Sequence, residues 1–252
     1  MLAFPFIVSV LSFIALWLSA LIGIYFRKRR GTVDDDSRED LGRLLGATLT
    51  LLGLIVGFSF SMAVAQYHQR INSEEAEAAA IGTEYERAGL LPAADAARVR
   101  QLLSTYLDQR ISFYTPPNSR RLNQIDGTSA RLQADIWSIV EAAAVQTPTS
   151  VITTAVSGAN EVSNSQRSTQ AAWANRIPVA AWALLETIAI FSNFLFGYVA
   201  GANRMTSKRF LVLPLIVSLA FFFIADMDHP RDGVIQVVPH NLLSLSNWIR
   251  SR

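Results

Sequence analysis

The uncharged, apolar stretch from Leu44 to Ala65 limits the fold more than any other feature. It is long enough to cross a hydrocarbon core of ~30 Å. Residues 66–91 follow it without a proline, and they carry a helical stripe of Ile71, Ala78, Ile81, Tyr85 and Ala88. We therefore predict one helix over residues 41–91, about 75 Å long at 1.5 Å per residue, of which residues 41–66 span a membrane.

The composition supports an integral membrane protein. Apolar residues make up 51% of the chain and the mean hydropathy is +0.28, with the excess concentrated in separate blocks. The absence of cysteine excludes disulfides, thiolate chemistry and cysteine metal sites. The net charge is only +2, and the basic residues cluster beside the apolar blocks, which is not the pattern of a nucleic-acid-binding surface.

Three further apolar blocks predict a first span over residues 2–26, a third over 177–201 and a fourth over 210–225. Residues 67–175 contain no block long enough to cross a membrane, and their apolar spacing predicts further helices over 92–114, 128–145 and 148–175, with Thr147 capping the last. We predict an all-α fold of four transmembrane helices, with an extramembrane helical bundle inserted between spans 2 and 3.

The remaining residues, 226–252, form a C-terminal tail. It opens with an acidic turn and closes with an amphipathic segment, which we expect to pack against the protein or a lipid surface. The apolar residues of this segment are Leu242, Leu243, Leu245, Trp248 and Ile249.

Basic residues beside the spans predict the orientation. They are concentrated in the linkers after the first and third spans, which hold Arg27, Lys28, Arg29, Arg30 and Arg38, and Arg204, Lys208 and Arg209. The positive-inside rule makes both short linkers cytoplasmic. In the plasma (inner) membrane, the helical domain and the tail would then lie on the opposite side.

Glu186 is an acidic residue deep inside the third span, where an ionisable group is costly and is commonly functional. Asn193, Gly197 and Gly201 follow it along the same helix. One interpretation is a water-lined pathway along this polar and small-residue face. The other is that Glu186 hydrogen-bonds to a neighbouring helix and fixes packing.

The second span carries a face of small residues, namely Gly46, Thr50, Gly53, Gly57 and Ser61. Small residues at this spacing are typical of close helix packing in membranes. The alternative is that copies of this helix from several subunits line a pore. Phe58, Phe60 and Met62 lie near one end of this face and would then supply a hydrophobic constriction.

Two acidic groups have competing interpretations. Asp226, Asp228, His229 and Asp232 form either a weak Ca²⁺ or Mg²⁺ site or a turn stabilised by local hydrogen bonds. The carboxylates of the second helix form either a solvated face or an acidic ring around an oligomer axis. These carboxylates are Glu74, Glu75, Glu77, Glu84 and Glu86.

Several segments resemble the bestrophin-like family of bacterial membrane proteins. They are GLIVGFSFSMA at 53–63, EAAAIGT at 77–83, YLDQR at 106–110, NE at 160–161 and ADMDHPRDG at 225–233. A more distant resemblance to bestrophin channels implies a homopentamer whose second helices line the pore with a hydrophobic neck. It makes Phe58 and Phe60 neck candidates, and Asp226 and Asp228 candidates for a Ca²⁺ site.

The sequence contains no phosphate-binding loop, nucleophile elbow or zinc-protease motif, and we do not expect an enzyme. The favoured function is a passive homo-oligomeric ion channel without a cofactor. Its partners are the lipid bilayer, permeating ions and further copies of the chain, and the resemblance implies that these copies form a pentamer. The alternative is a non-conducting scaffold or sensor whose extramembrane domain binds a partner or ligand.

Overall fold

The computed structural model describes residues 3–29, 35–115, 118–200, 210–231 and 233–252. Most of these residues are helical, and there is no strand among them. The predicted all-α fold is confirmed. The chain divides into two compact units, one of Met1–Tyr67 with Arg176–Gln236 and one of His68–Asn175 with Val237–Arg252. We call the first the membrane unit and the second the extramembrane unit, after the placement that the sequence predicts for them.

The helices follow one another in the order α1 (Ala3–Arg29), α2 (Asp35–Arg87), α3 (Ala93–Tyr114), α4 (Ser119–Gln146), α5 (Ser150–Ala174), α6 (Val179–Ala200), α7 (Val212–Asp228) and α8 (His240–Arg250). A short 3₁₀ turn, Ala88–Leu90, separates α2 from α3. The amphipathic segment predicted in the tail is α8.

Helix α2 is continuous over 53 residues and contributes to both units, as its sequence predicts. It begins at Asp35, six residues before the predicted start at residue 41, and ends at Arg87.

The membrane unit holds α1, α6, α7 and the first half of α2. Three helical stretches are long and apolar enough to cross a membrane, namely Phe4–Arg29, Glu39–Leu90 and Ser150–Ala200. Helix α7 is strongly apolar but has only 17 residues, about 25 Å of helix. The fourth span therefore stays a prediction.

Helices α1 and α6 pack backbone to backbone. A Cβ added at Gly197 would overlap the carbonyl oxygen of Ala20, and one added at Gly23 would overlap that of Phe194. The Ser19 hydroxyl donates a hydrogen bond of 2.7 Å to the carbonyl oxygen of Ile190. Small residues permit this close approach, which replaces the hydrophobic effect as a source of helix association inside lipid.

The extramembrane unit combines α3, α4, α5 and α8 with the second half of α2. Its apolar core includes Val99, Leu103, Ile136, Val140 and Ala155, all buried. Leucine, valine and isoleucine from different helices thereby form one continuous core, as expected for a helical bundle.

Two helix starts in this unit differ from prediction. Helix α4 begins at Ser119 rather than at residue 128, because the Asn118 side chain accepts a 2.8 Å hydrogen bond from the Arg121 amide. Thr149, not Thr147, caps α5 by accepting from the Ile152 amide. Thr147 instead ends α4, since its amide donates to the carbonyl oxygen of Ala143.

The second half of α2 buries charged side chains, so the prediction of a solvated acidic face is wrong for Glu74, Glu77 and Glu84. These residues are at most 2% exposed, whereas Glu75 and Glu86 are exposed. Burial of a charge is costly unless it is paired or hydrogen-bonded, so each of these groups requires a partner.

Two of the charged groups cap other helices. The buried Arg70 guanidinium donates to the carbonyl oxygens of Ala172 and Asn175, at the end of α5. Glu74 accepts from the Leu242 amide at 2.9 Å and from the Asn241 side chain at 2.7 Å, at the start of α8. Both contacts satisfy backbone groups left open at helix ends and complement the helix dipole.

Glu77 and Arg110 form an ion pair between α2 and α3 in which both side chains are 0% exposed. The Thr169 hydroxyl donates a further bond of 3.0 Å to Glu77. Next to the pair, the Tyr106 hydroxyl donates to Gln166 at 2.8 Å, and burial together with the Glu77 charge raises the pKa of Tyr106. The pair is thus enclosed by hydrogen-bonded neighbours.

We predict that Gly197→Ala destabilises the protein by about 1–3 kcal/mol, because the new methyl group forces α1 and α6 apart. The matched control is Gly42→Ala in α2, where an added Cβ meets no described atom within 4 Å and helix propensity favours alanine. Unfolding midpoints in detergent measure both. Equal midpoints for the two variants would contradict the close packing.

We also expect Arg110→Met to lower the free energy of unfolding by about 3–5 kcal/mol, since it leaves the Glu77 carboxylate buried without a counter-charge. Arg120→Met, at an exposed position of α4, serves as the control. Denaturant titration of the full chain provides the measurement. A loss no larger than that of the control would show that Glu77 does not depend on Arg110.

Candidate functional site

The small-residue face of α2 is open in the membrane unit. Its five residues, Gly46, Thr50, Gly53, Gly57 and Ser61, are all exposed. A Cβ added at any of the three glycines would meet no described atom within 4 Å. Among the described residues of one chain, nothing packs against these glycines.

The opposite face of α2 attaches the helix to its own unit. Leu52, Ser59 and Ala63 are at most 6% exposed. Leu52 belongs to a buried cluster with Leu16 and Phe221, among others. At ~100° per residue these positions lie on the far side of the helix from the glycines, so the small-residue face points away from the rest of the membrane unit.

The three bulky candidates near this face do not share one direction. Phe58, Phe60 and Met62 are 66%, 41% and 38% exposed. Phe60 follows Gly53 by seven residues, two helical turns, and lies on the same side of the helix. Phe58 follows Gly57 directly and is rotated by ~100° from it. Phe60 thus lies closer than Phe58 to the side of α2 that carries Gly53 and Gly57.

Glu186 and Asn193 of α6 each have a hydrogen-bond partner among the described residues, whereas the buried Ser192 hydroxyl has none. The Ser12 hydroxyl of α1 donates a hydrogen bond of 3.2 Å to the half-buried Glu186 carboxylate. Asn193 is fully buried and donates to the carbonyl oxygen of Ala189 in its own helix. Gly197 lies against α1, and Gly201 is outside the described residues. This arrangement favours the packing interpretation of the α6 face.

Asp226 at the end of α7 organises the turn that follows it. One carboxylate oxygen accepts from the Val234 amide at 2.7 Å, and the other accepts from the Ile235 amide at 2.8 Å. A Cβ added at Gly233 would lie 2.5 Å from the carboxylate, so only glycine allows this approach.

Asp228 has a comparable structural contact with the segment that precedes α6. Its carboxylate accepts from the Ile177 amide at 2.8 Å, and its carbonyl oxygen accepts from the Arg176 guanidinium. Its other carboxylate oxygen lies 3.6 Å from His229 Nδ1.

These contacts explain the acidic turn as local structure. Among the described residues, no group of three or more His, Asp or Glu side chains is arranged to hold a metal ion, and Asp232 lies outside them. The hydrogen bonds of Asp226 and Asp228 favour the turn interpretation over a Ca²⁺ site.

Sequence reasoning missed Gly23, Gly233 and Arg176 as partners of the predicted site residues. Gly233 carried a usable signal, since it ends the segment DHPRDG, which is rich in turn-forming residues. Arg176 and Gly23 carried none, because each acts on a group far away in the sequence.

The profile of the Bestrophin-like domain family matches residues 12–242, nearly the whole chain. Comparison with curated proteins gives no match. Among solved structures, the chain resembles a bacterial bestrophin homologue from Klebsiella pneumoniae with a TM-score of 0.64 at 12% identity, covering 94% of this chain and 98% of the other. A variant of that homologue matches with a TM-score of 0.67 at 12% identity, covering 95% and 97%. At this identity the structural likeness concerns the fold alone.

Replacing Asp226 by asparagine should lower the free energy of unfolding by about 1–3 kcal/mol, because an amide has a single oxygen for two backbone donors. Asp108→Asn, at a half-exposed ion pair with Arg250, is the control and should change stability less. Thermal unfolding in detergent provides the comparison. Calcium that raises the midpoint of the unmodified chain but not of Asp226→Asn would instead assign this carboxylate to a cation site.

Proposed function

The chain belongs to the Bestrophin-like domain family, and we propose that it is an integral membrane protein that assembles as a homo-oligomeric ion channel with the second transmembrane helix lining the pore. It conducts passively, without catalysis and without a cofactor. The observation that supports this proposal is the open small-residue face of α2, described above for Gly46, Gly53 and Gly57.

Neither of the two ordinary environments of a membrane helix explains this face. A packing seam requires a neighbour, and none of the described residues lies against the three glycines. A lipid-facing surface is normally covered by large apolar side chains, whereas this one exposes backbone and hydroxyl groups. In a closed ring, the face opposite the anchoring side of each α2 would turn toward the symmetry axis, where it lines a lumen.

The chemistry of this face suits a passive pore. Thr50 donates its hydroxyl proton to the Gly46 carbonyl, so the hydroxyl oxygen retains lone pairs for water or a cation. Phe60, on the same side, supplies a ring of apolar side chains of the kind that gates by dewetting.

The basic residues support an orientation in the plasma (inner) membrane with the short linkers on the cytoplasmic side. Arg27, Lys28 and Arg29 form the last turn of α1, where they also complement the helix dipole. The second basic linker, with Arg204, Lys208 and Arg209, lies outside the described residues. A cytoplasmic reporter fused at residue 118 that proved active would reverse this orientation.

For a channel of this design, Phe60→Ala should raise ion flux several-fold in reconstituted liposomes, because it widens the apolar constriction. Phe58→Ala is the matched control: the same side chain is removed two residues away, at a position rotated out of the lumen, and flux should change less. Fluorescent halide and potassium assays measure both variants beside the unmodified chain.

The mass of the detergent-solubilised protein provides an independent check. A channel requires a particle of several 27.8 kDa chains. A monodisperse oligomer that passes none of the tested ions would refute conduction and favour a non-conducting scaffold or sensor. Equal effects of Phe60→Ala and Phe58→Ala would refute the assignment of the pore-lining face while leaving conduction intact.

A further inference from the structure

Glu84 is a buried carboxylate that the fold leaves without a hydrogen-bond partner. It lies on α2 within the extramembrane unit, and its side chain is 0% exposed. Neither carboxylate oxygen has a hydrogen-bond partner among the described residues. This sets it apart from Glu74 and Glu77, which share its face of α2 and are both hydrogen-bonded.

Helix α5 contains a glycine at the position that Glu84 contacts. A Cβ added at Gly158 would overlap Glu84 Oε2, so any other residue there would displace the carboxyl group. The close contact of α2 with α5 at this level therefore depends on a compact carboxyl group resting against bare backbone.

Two charged groups face Glu84. Arg87 lies one turn further along α2, and Glu161 lies on α5. They pair with each other, with Arg87 Nη1 3.4 Å from Glu161 Oε2, and both reach solvent, being 32% and 59% exposed. The available cation is thus bound to the surface carboxylate, which leaves Glu84 in an environment that favours its neutral form.

We propose that Glu84 is a proton-binding switch in the extramembrane unit. Protonated, it packs against Gly158 and leaves the Arg87–Glu161 pair intact. When it releases its proton to solvent, the new carboxylate attracts Arg87 away from Glu161 and loosens the contact between α2 and α5. The switch belongs to the extramembrane unit and does not depend on whether the chain conducts ions.

The direction of the pH dependence follows from the environment of Glu84. Burial, opposed by Arg87 and reinforced by Glu161, raises the pKa of Glu84 from 4.5 to about 8. Between these two values the folded chain holds a proton that the unfolded chain has lost, so stability falls as the pH rises. Above about pH 8 both states are ionised, and the contribution of Glu84 becomes independent of pH.

Hydrogen–deuterium exchange of the full chain in nanodiscs tests the switch between pH 6 and pH 10, after correction for intrinsic exchange. We expect peptides covering residues 80–90 and 155–165 to lose protection with a midpoint near pH 8. Glu84→Gln should abolish this transition. Glu86→Gln, an exposed neighbour, should keep it.

A transition that persists in Glu84→Gln, or that is absent from the unmodified chain, would overturn the proposal. If Glu84→Gln does not fold, Glu161→Gln decides the question. It removes the partner of Arg87, so the Arg87–Glu161 pair that ionised Glu84 is proposed to break no longer exists, and the transition near pH 8 should be absent. A transition that keeps its midpoint and amplitude in Glu161→Gln would overturn the proposal.

Discussion

Glu77 and Arg110 are both buried, and each has its charge satisfied by the other. A charge in this position loses most of its hydration, so the surrounding helices must bring its partner to within hydrogen-bond distance or the fold is penalised by several kcal/mol. Arg70, two turns before Glu77 on α2, imposes the same requirement toward the end of α5, and Glu74, one turn before it, does so toward the start of α8. One helix thereby selects its neighbours by charge, and apolar packing fills the remaining space.

The sequence was sufficient to predict the continuous α2, the all-α class and the core of the extramembrane unit, because these depend on local periodicity. It was not sufficient to predict how the buried carboxylates of α2 are hydrogen-bonded. Glu74, Glu77 and Glu84 share a face with Ile81, so their position on a buried stripe was visible. The partners of Glu77 and Glu74 were not visible, since Arg110 lies 33 residues from Glu77 and Leu242 lies 168 residues from Glu74 in the chain.

The glycines of the membrane unit show the same limit. Gly53 and Gly197 occupy equivalent contexts in the sequence, each within an apolar helix with other small residues nearby. The structure places a neighbouring backbone against Gly197 and no described atom against Gly53. Whether a glycine permits close packing or leaves the helix surface exposed depends on whether another helix lies against it. Helical periodicity in the sequence does not show which helix, if any, is the neighbour.

The contact between Glu74 and the start of α8 has a consequence for biogenesis. Glu74 emerges from the ribosome long before Asn241 and Leu242, which supply its hydrogen bonds. Throughout this interval α2 carries a carboxylate destined for burial but still without its donors, so that part of the extramembrane unit cannot reach its final packing. A nascent chain stalled before residue 241 should therefore keep the Glu74 region hydrated and accessible to chaperones and proteases, even with its membrane helices already inserted.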